Sequence, residues 1–121
     1  MRIVLRGDPR TKKNSARIVI VDGHRRVLPS LAYSEYERDC IRQLNGDQRK
    51  RIEWPVNVRC VSYMATRRRV DLVNLEEATL DILVRGGVLD DDCSRVVESM
   101  DGSRVLLDRE DPRVEIEITE M

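Results

Sequence analysis

Residues 67–92 read RRRVDLVNLEEATLDILVRGGVLDDD, and this stretch constrains both the fold and the chemistry of the chain. From Leu72 to about Val84 the apolar residues recur every three or four positions, which predicts an amphipathic helix that ends at Gly86-Gly87. An arginine run precedes this helix, and three consecutive aspartates follow it. Adjacent carboxylates repel one another unless a metal ion, a cationic partner or water relieves them. The pattern favours a metal site that acts on phosphate.

The carboxylates that this stretch offers as metal ligands and catalytic groups are Asp71, Glu77, Asp91 and Asp92. The helix spans roughly 16 Å and an extended return from Gly86 covers up to roughly 20 Å, so we expect the aspartate run to lie beside the helix start. Oxygen-only ligands suit hard cations, here Mg²⁺ with Mn²⁺ as a substitute. Such an ion holds a phosphate oxygen and activates the water that attacks phosphorus.

The same acidic residues also have ordinary structural interpretations. Asp71 suits the N-cap of the helix, and Asp90 to Asp92 suit a solvated loop. Glu77 suits an exposed helix face, where Asp81 and Arg85 are spaced for a surface ion pair.

Basic and acidic residues are separated along the chain, although the formal net charge is zero. Residues 1–70 carry 17 Lys and Arg against 7 Asp and Glu, whereas residues 71–121 carry 5 against 15. This asymmetry predicts a basic nucleic-acid surface beside an acidic metal site, with charge pairing inside the protein as the alternative. The residues expected to contact nucleic-acid phosphates are Lys12, Lys13, Arg67, Arg68 and Arg69, each of which also suits ordinary solvated surface, and Asn74 joins them from the polar stripe of the helix.

The remaining pattern predicts one α+β domain over residues 1–121, with a mixed sheet and two main helices. Apolar runs predict strands at about 3–5, 17–21, 56–64 and 114–118, and a first helix from Ser30 to about Leu44. Asp101-Gly102, between the predicted strands at 96–97 and 105–107, predicts a hairpin turn, and His24 is expected in a turn. Glu76 falls on the apolar side of the second helix, where an edge position or a partner subunit must accommodate it.

Size and composition narrow the class of protein. A chain of 121 residues is near the size at which dimerisation commonly adds buried surface, so we expect a homodimer. The sequence shows no signal segment and no apolar run of the ~20 residues that cross a membrane, so we expect a cytoplasmic protein without membrane contact. Cys40, Cys60 and Cys93 fit neither a disulfide framework nor a zinc site, and are expected to be buried or half-buried thiols.

The central stretch resembles the RusA-type Holliday-junction resolvases, a family of small dimeric endonucleases common in prophages. The resemblance is carried by the arginine run, the Asp-x-x-Asn start at Asp71 and Asn74, Asp81, and the segment from Gly87 to Asp92. It extends to residues 7–15, 28–30 and 114–118, and so covers most of the chain.

The resemblance implies Mg²⁺-dependent cutting of four-way (Holliday) DNA junctions by a homodimer, with symmetric nicks in two strands, in recombination and repair. Asp71 falls on the family's first catalytic aspartate. Asp91 and Asp92 fall on its Asp-Asp pair, with Asp92 the closer match to the essential member. Two positions depart from the family pattern: Val73 replaces a second aspartate, and Glu77 replaces the catalytic lysine.

These departures leave different functional hypotheses open. In the first, Glu77 supplies the missing ligand of a variant active site, and Lys12 or Lys13 supplies the missing cation. In the second, the loss of an aspartate and a lysine leaves a catalytically inactive dimer that binds branched DNA. A third hypothesis, an acidic interaction protein without a DNA role, is disfavoured because the arginine run adjoins the acidic residues.

Overall fold

A computed structural model describes residues 1–12 and 17–121, which form a five-stranded mixed sheet, a separate two-stranded ribbon and two α-helices. The strands are β1 (Arg2–Arg6), β2 (Arg17–Val21), β3 (His24–Leu28), β4 (Val56–Met64), β5 (Val97–Ser99), β6 (Arg104–Leu107) and β7 (Arg113–Glu120). The helices are α1 (Leu31–Gln43) and α2 (Leu72–Arg85), with a short 3₁₀ turn at Gly46–Gln48. The predicted α+β class with a mixed sheet and two helices is confirmed.

The large sheet has the order β1-β7-β4, with β5 and β6 both on the remaining edge of β4. β7 lies antiparallel to β1 and β4, whereas β5 and β6 run parallel to β4. Alternate residues of β1, β4 and β7 are buried against α1 and α2, and this helix-covered face holds the core. β2 and β3 pair only with each other among the described strands.

Both helices form where the sequence predicts them. The Ser30 hydroxyl caps α1 by accepting a hydrogen bond from the Tyr33 amide at 3.1 Å. The buried side of α2 includes Leu75, Ala78, Thr79, Ile82 and Leu83. Beyond its end, Gly87 takes a left-handed φ of 79°, as expected for the residue that terminates a helix.

β5 and β6 do not pair with each other, so the predicted hairpin around Asp101-Gly102 is wrong. Both strands lie along the same edge of β4, β5 beside Val56 and Asn57 and β6 beside residues 61–64. Asn57 Oδ1 accepts hydrogen bonds from the Asp101 amide at 2.8 Å and the Ser99 hydroxyl at 2.6 Å. Because β4 supplies partners on both sides of the turn, the chain continues along its edge instead of folding back.

The ribbon contains a strand that the sequence analysis did not predict. His24 was expected in a turn, but it begins β3, and the turn before it consists of Asp22 and Gly23. These two residues have φ values of 52° and 77°, the left-handed pair that a two-residue type I′ hairpin requires. The segment HRRVL has no alternation of apolar and polar residues, so only the Asp-Gly turn could have indicated this strand.

The face of the sheet opposite the helices carries charge pairs between strands. Arg2 lies 2.6 Å from Glu115, and Arg59 lies 3.9 Å from Glu117. Each pair joins a basic residue from the first half of the chain to an acidic residue from the second. Charge pairing inside the protein therefore accounts for part of the asymmetry in the sequence.

The cysteines separate into two classes. Cys40 and Cys60 are buried, and burial raises the pKa of the Cys40 thiol to about 11 and that of Cys60 to about 12. Cys93 is exposed, contrary to the expectation of a buried or half-buried thiol, because it lies in the loop after the aspartate run. Among the residues that the structure describes, no helix is long and apolar enough to cross a membrane.

Glu76 should make folding stability depend on pH. It is half-buried, and desolvation raises the pKa of its carboxyl group. A group whose pKa is raised by folding contributes stability that is full below its unfolded-state pKa, about 4.3, and is lost as the pH rises through the folded-state pKa. We expect Glu76→Gln to raise the free energy of unfolding at pH 7 and to flatten its decline above pH 4, measured by urea denaturation.

Glu53→Gln is the matched control, because Glu53 is exposed. Its stability should follow the wild-type pH dependence. Equal slopes for Glu76→Gln and wild type would contradict the assignment.

Candidate active site and nucleic-acid surface

Asp71 stands at the N-cap position of α2, but its carboxylate does not cap the helix. The backbone carbonyl of Asp71 accepts from the Leu75 amide at 3.1 Å, whereas its side chain accepts no hydrogen bond from a backbone amide of the first turn. Oδ2 instead accepts a hydrogen bond from Asn74 Nδ2 at 3.3 Å, and Asp71 is exposed. The backbone of Asp71 therefore occupies the N-cap position, as predicted, while its carboxylate faces solvent.

The three arginines before α2 have different environments. Arg68 Nη1 lies 2.7 Å from Asp8 Oδ2, and Arg68 Nη2 donates to the carbonyl of Pro9. Arg67 and Arg69 are exposed and have no carboxylate partner among the described residues. Arg68 thus holds the loop after β1, described over residues 7–12 and called the basic loop below, and Arg67 and Arg69 present their guanidinium groups to solvent.

Asp8 is a structural residue of this site that the sequence analysis did not identify. Its Oδ1 accepts a hydrogen bond from the Ala65 amide at 3.0 Å, and its Oδ2 lies 3.7 Å from Arg10 in addition to the Arg68 contact. These contacts fix the start of the basic loop to the segment between β4 and α2. A lone aspartate within a basic loop was the available signal, because such a group commonly pairs with neighbouring cations.

Lys12 fixes the same loop to the middle of α2. Its Nζ lies 2.6 Å from Asp81 Oδ2, with the two side chains 29% and 24% exposed, and 5.8 Å from the centre of the Tyr33 ring. Arg85 pairs with Glu37 of α1 at 2.8 Å. The expected Asp81–Arg85 ion pair is therefore wrong, because the loop and α1 provide each residue with another partner.

The remaining residues of this helix face are placed as follows. Glu77 is exposed and Asn74 is half-buried. Asn74, Glu77 and Asp81 follow one another at intervals of one helix turn and so lie on one face of α2. Lys12 therefore brings an ammonium group to the polar stripe that contains Glu77. Lys13, the other lysine predicted to contribute, lies outside the described residues.

Two concave surfaces adjoin the start of α2. A hollow of about 90 Å³ is lined by the side chains of Arg10 and Arg68 and by Val70, the residue before Asp71. A more open groove of about 260 Å³ is lined in part by Arg67 and Arg68. This end of the molecule thus combines a solvent-facing carboxylate with several cations, an arrangement suited to a phosphodiester chain.

The aspartate run does not return to the helix start, so that expectation is wrong. The Asp90 amide donates to the carbonyl of Ile52 at 3.0 Å, and the Val56 amide donates to the carbonyl of Val96 at 2.8 Å. The Leu89 amide donates to the carbonyl of Leu83 at 3.2 Å, so the exposed residues Asp91 and Asp92 follow directly after a segment bound to the C-terminal end of α2. α2 has 14 residues and is roughly 20 Å long, and Asp71 lies at its other end.

The expected ligands consequently do not form a metal site within one described chain. No group of three His, Cys, Asp or Glu residues is placed to hold a metal ion in the described parts, 1–12 and 17–121. The chemistry of the donors suits Mg²⁺, but the two acidic segments of a single chain do not converge.

Replacing Asp8 should loosen the loop that carries Lys12. Asp8→Ala leaves the Ala65 amide and Nη1 of the half-buried Arg68 without their acceptor, which should lower the free energy of unfolding by about 1–3 kcal/mol. The Ala65 amide should also exchange with solvent faster than in wild type, measured by NMR hydrogen exchange.

Asp47→Ala is the control, because Asp47 is exposed in the short 3₁₀ turn; it should change stability by less than about 0.5 kcal/mol. Unchanged protection of Ala65 in Asp8→Ala would show that Asp8 does not hold the loop.

Comparison with known proteins identifies the family of this chain. The family model described as Endodeoxyribonuclease RusA matches residues 6–119, which include the basic loop, both helices and the aspartate run. A comparison with curated proteins finds no match. The family match confirms the resemblance seen in the sequence and spans nearly the whole chain: the protein belongs to the RusA endodeoxyribonuclease family.

Proposed function

We propose that this protein is a Mg²⁺-dependent endonuclease that nicks four-way DNA junctions as a homodimer, in the cytoplasm and in the course of recombination or repair. Its family membership places it among DNA endonucleases. The observation that carries the finer proposal is the start of α2, where the carboxylate of Asp71 faces solvent beside Arg67, Arg69 and the hollow that contains Arg10.

DNA recognition in this proposal rests on phosphate contacts and shape. Arg67 and Arg69 hold the phosphates that flank the cut, with Asn74 on the adjoining helix turn. Lys12 belongs to the same basic surface, and Lys13, the next residue in the sequence, is proposed to contact DNA as well. The chain has no Phe, one Trp and three Tyr, so stacking of bases on aromatic rings contributes little.

A second copy of the chain supplies the acidic groups that one copy keeps apart. In a two-fold dimer with α2 helices running in opposite directions, Asp71 of each chain meets Asp91 and Asp92 of the other. Such a dimer contains two equivalent sites, which matches two symmetric nicks. The separation of the acidic segments along α2 supports this arrangement.

These carboxylates, with Glu77 on the polar stripe of α2, would hold Mg²⁺, or Mn²⁺ in its place. The ion, when bound, stabilises charge on the phosphate oxygens and lowers the pKa of the attacking water. The protein contributes the ligands, the arginines that position the strand, and Lys12, which keeps a positive charge one helix turn from Glu77.

Mixing two inactive variants tests the shared site. Asp71→Asn and Asp92→Asn should each reduce junction nicking at least about a hundredfold while retaining junction binding. Subunit exchange between them produces heterodimers with one site that lacks both carboxylates and one that is intact. The mixture should regain roughly a quarter of wild-type nicking activity, all of it as single nicks, measured on end-labelled four-way junctions.

Asp47→Asn is the control, because Asp47 is exposed and far in sequence from the proposed ligands. It should behave as wild type in the same assay. Two inactive variants that stay inactive after exchange would place each site within one chain. Activity unchanged by both substitutions would remove the site assignment.

A second candidate function is that of an inactive dimer that binds branched DNA. It is favoured by Val73, which is 69% exposed on the first turn of α2 and offers no ligand where the family has an aspartate. The exposed Glu77 on the next turn adds a negative charge where the family has a lysine.

Substitution at these two positions separates the candidates. If Glu77 is a ligand, Glu77→Gln should lower Mg²⁺-dependent nicking at least about tenfold without weakening junction binding. If the protein is an inactive binder, wild type should show no nicking with Mg²⁺ or Mn²⁺, and Val73→Asp combined with Glu77→Lys should create it.

Leu31→Asp serves as the control for adding a carboxylate at an exposed helix position, since Leu31 is 60% exposed at the start of α1, and it should not create nicking. Full activity in Glu77→Gln would exclude a ligand role for Glu77.

A further inference from the structure

The β2–β3 ribbon stands apart from the core and exposes apolar side chains. In the antiparallel register Ile18 is opposite Val27 and Ile20 is opposite Arg25, which places these four residues on one face. Ile18, Ile20 and Val27 are 60%, 74% and 73% exposed. A two-stranded ribbon is marginally stable in water by itself, so an uncovered aliphatic face of this kind indicates a surface that binds a partner.

The charge of the ribbon identifies the class of partner. Arg25 lies on the aliphatic face, and His24 and the exposed Arg26 lie on the other. Asp22, in the turn, is the one acidic residue of the segment 17–28. This composition is complementary to a polyanion. Pairing with the same face of a second copy would instead bring Arg25 of the two chains to one apolar surface, where like charges are costly.

The ribbon is also continuous with the basic surface. β3 leads through Pro29 into Ser30, which lines the same hollow as Arg10 and Arg68. A DNA strand that occupies the hollow therefore passes the base of the ribbon. This position argues for the same DNA as the partner.

We infer that the ribbon inserts its aliphatic face, formed by Ile18, Ile20 and Val27, against exposed base faces at the branch point of the DNA junction. This inference rests on the proposed function and adds an element that selects branched over linear DNA. In a linear duplex, opening one base step for apolar side chains costs a few kcal/mol, whereas at a branch point the stack is already interrupted. The arginines of the ribbon bind the phosphates on either side, in branched and linear DNA alike.

The test compares two kinds of ribbon variant with no divalent metal present, so that binding is measured without cutting. Ile20→Ser combined with Val27→Ser should weaken binding to a four-way junction about tenfold, because buried aliphatic contacts are lost, and change linear-duplex binding less than about twofold. Arg25→Gln should weaken binding to the junction and to the linear duplex. It should also reduce the salt dependence of binding by the amount expected for the loss of about one phosphate contact. Fluorescence of 2-aminopurine at the branch point should rise on binding of wild type and less on binding of the serine variant.

Trp54→Ser is the control for loss of an exposed apolar side chain, since Trp54 is 44% exposed and lies outside the ribbon. It should leave both affinities and the fluorescence change as in wild type. Sedimentation velocity should give the same oligomeric state for all variants.

Each alternative outcome would overturn the inference. If wild type prefers the junction and the serine variant retains both its affinity and its fluorescence change, the ribbon does not contact the branch point and the proposed function stands. If the serine variant becomes monomeric, the face is a protein interface. If wild type shows no preference for the junction, the proposed function fails together with the inference.

Discussion

The nine residues of β4 organise the large sheet and the position of α2. β7 pairs with one edge along nearly its whole length, and β5 and β6 follow the other edge in sequence. The chain leaves the end of β4 toward Arg67 and α2, and it returns to the start of β4, where Val96 bonds to Val56. Because α2 extends from one end of β4 toward the other, the acidic groups at its two ends are separated by roughly 20 Å of helix.

Two Asp-Gly pairs show how far the sequence determines local structure. Asp22-Gly23 forms a tight hairpin between strands that have no other partner in the described chain. Asp101-Gly102 is also a turn, with Gly102 at a φ of 87°, but its flanking strands bind β4 and not each other. The dipeptide predicts a turn in both cases. The pairing depends on whether a third strand offers an edge, and this competition between partners is not encoded within the dipeptide.

The candidate site could be predicted in its residue types but not in its arrangement. The helix period and the terminating glycines located α2, and hence Asp71 at its start, from local sequence alone. The contacts of Asp8 with Arg68 and of Lys12 with Asp81 join residues that are about 60 and 70 positions apart. No periodicity links such residues, so the anchoring of the basic loop required the tertiary structure. The chain after Gly86 is long enough for the aspartate run to reach the start of α2. The bonds to Ile52 direct the run to the opposite end of the helix instead.

The distribution of charge connects the fold to the proposed chemistry. Acidic residues on the outer face of the sheet are paired with arginines such as Arg2 and Arg59, so they do not repel DNA as strongly as their number suggests. Arg67 and Arg69, which precede Asp71 in the chain, have no carboxylate partner among the described residues. Neutral overall charge is thus compatible with a basic binding surface, because ion pairs within the described chain do not neutralise these two guanidinium groups. The acidic segments that remain exposed at the two ends of α2 are the ones that a two-fold partner would bring together.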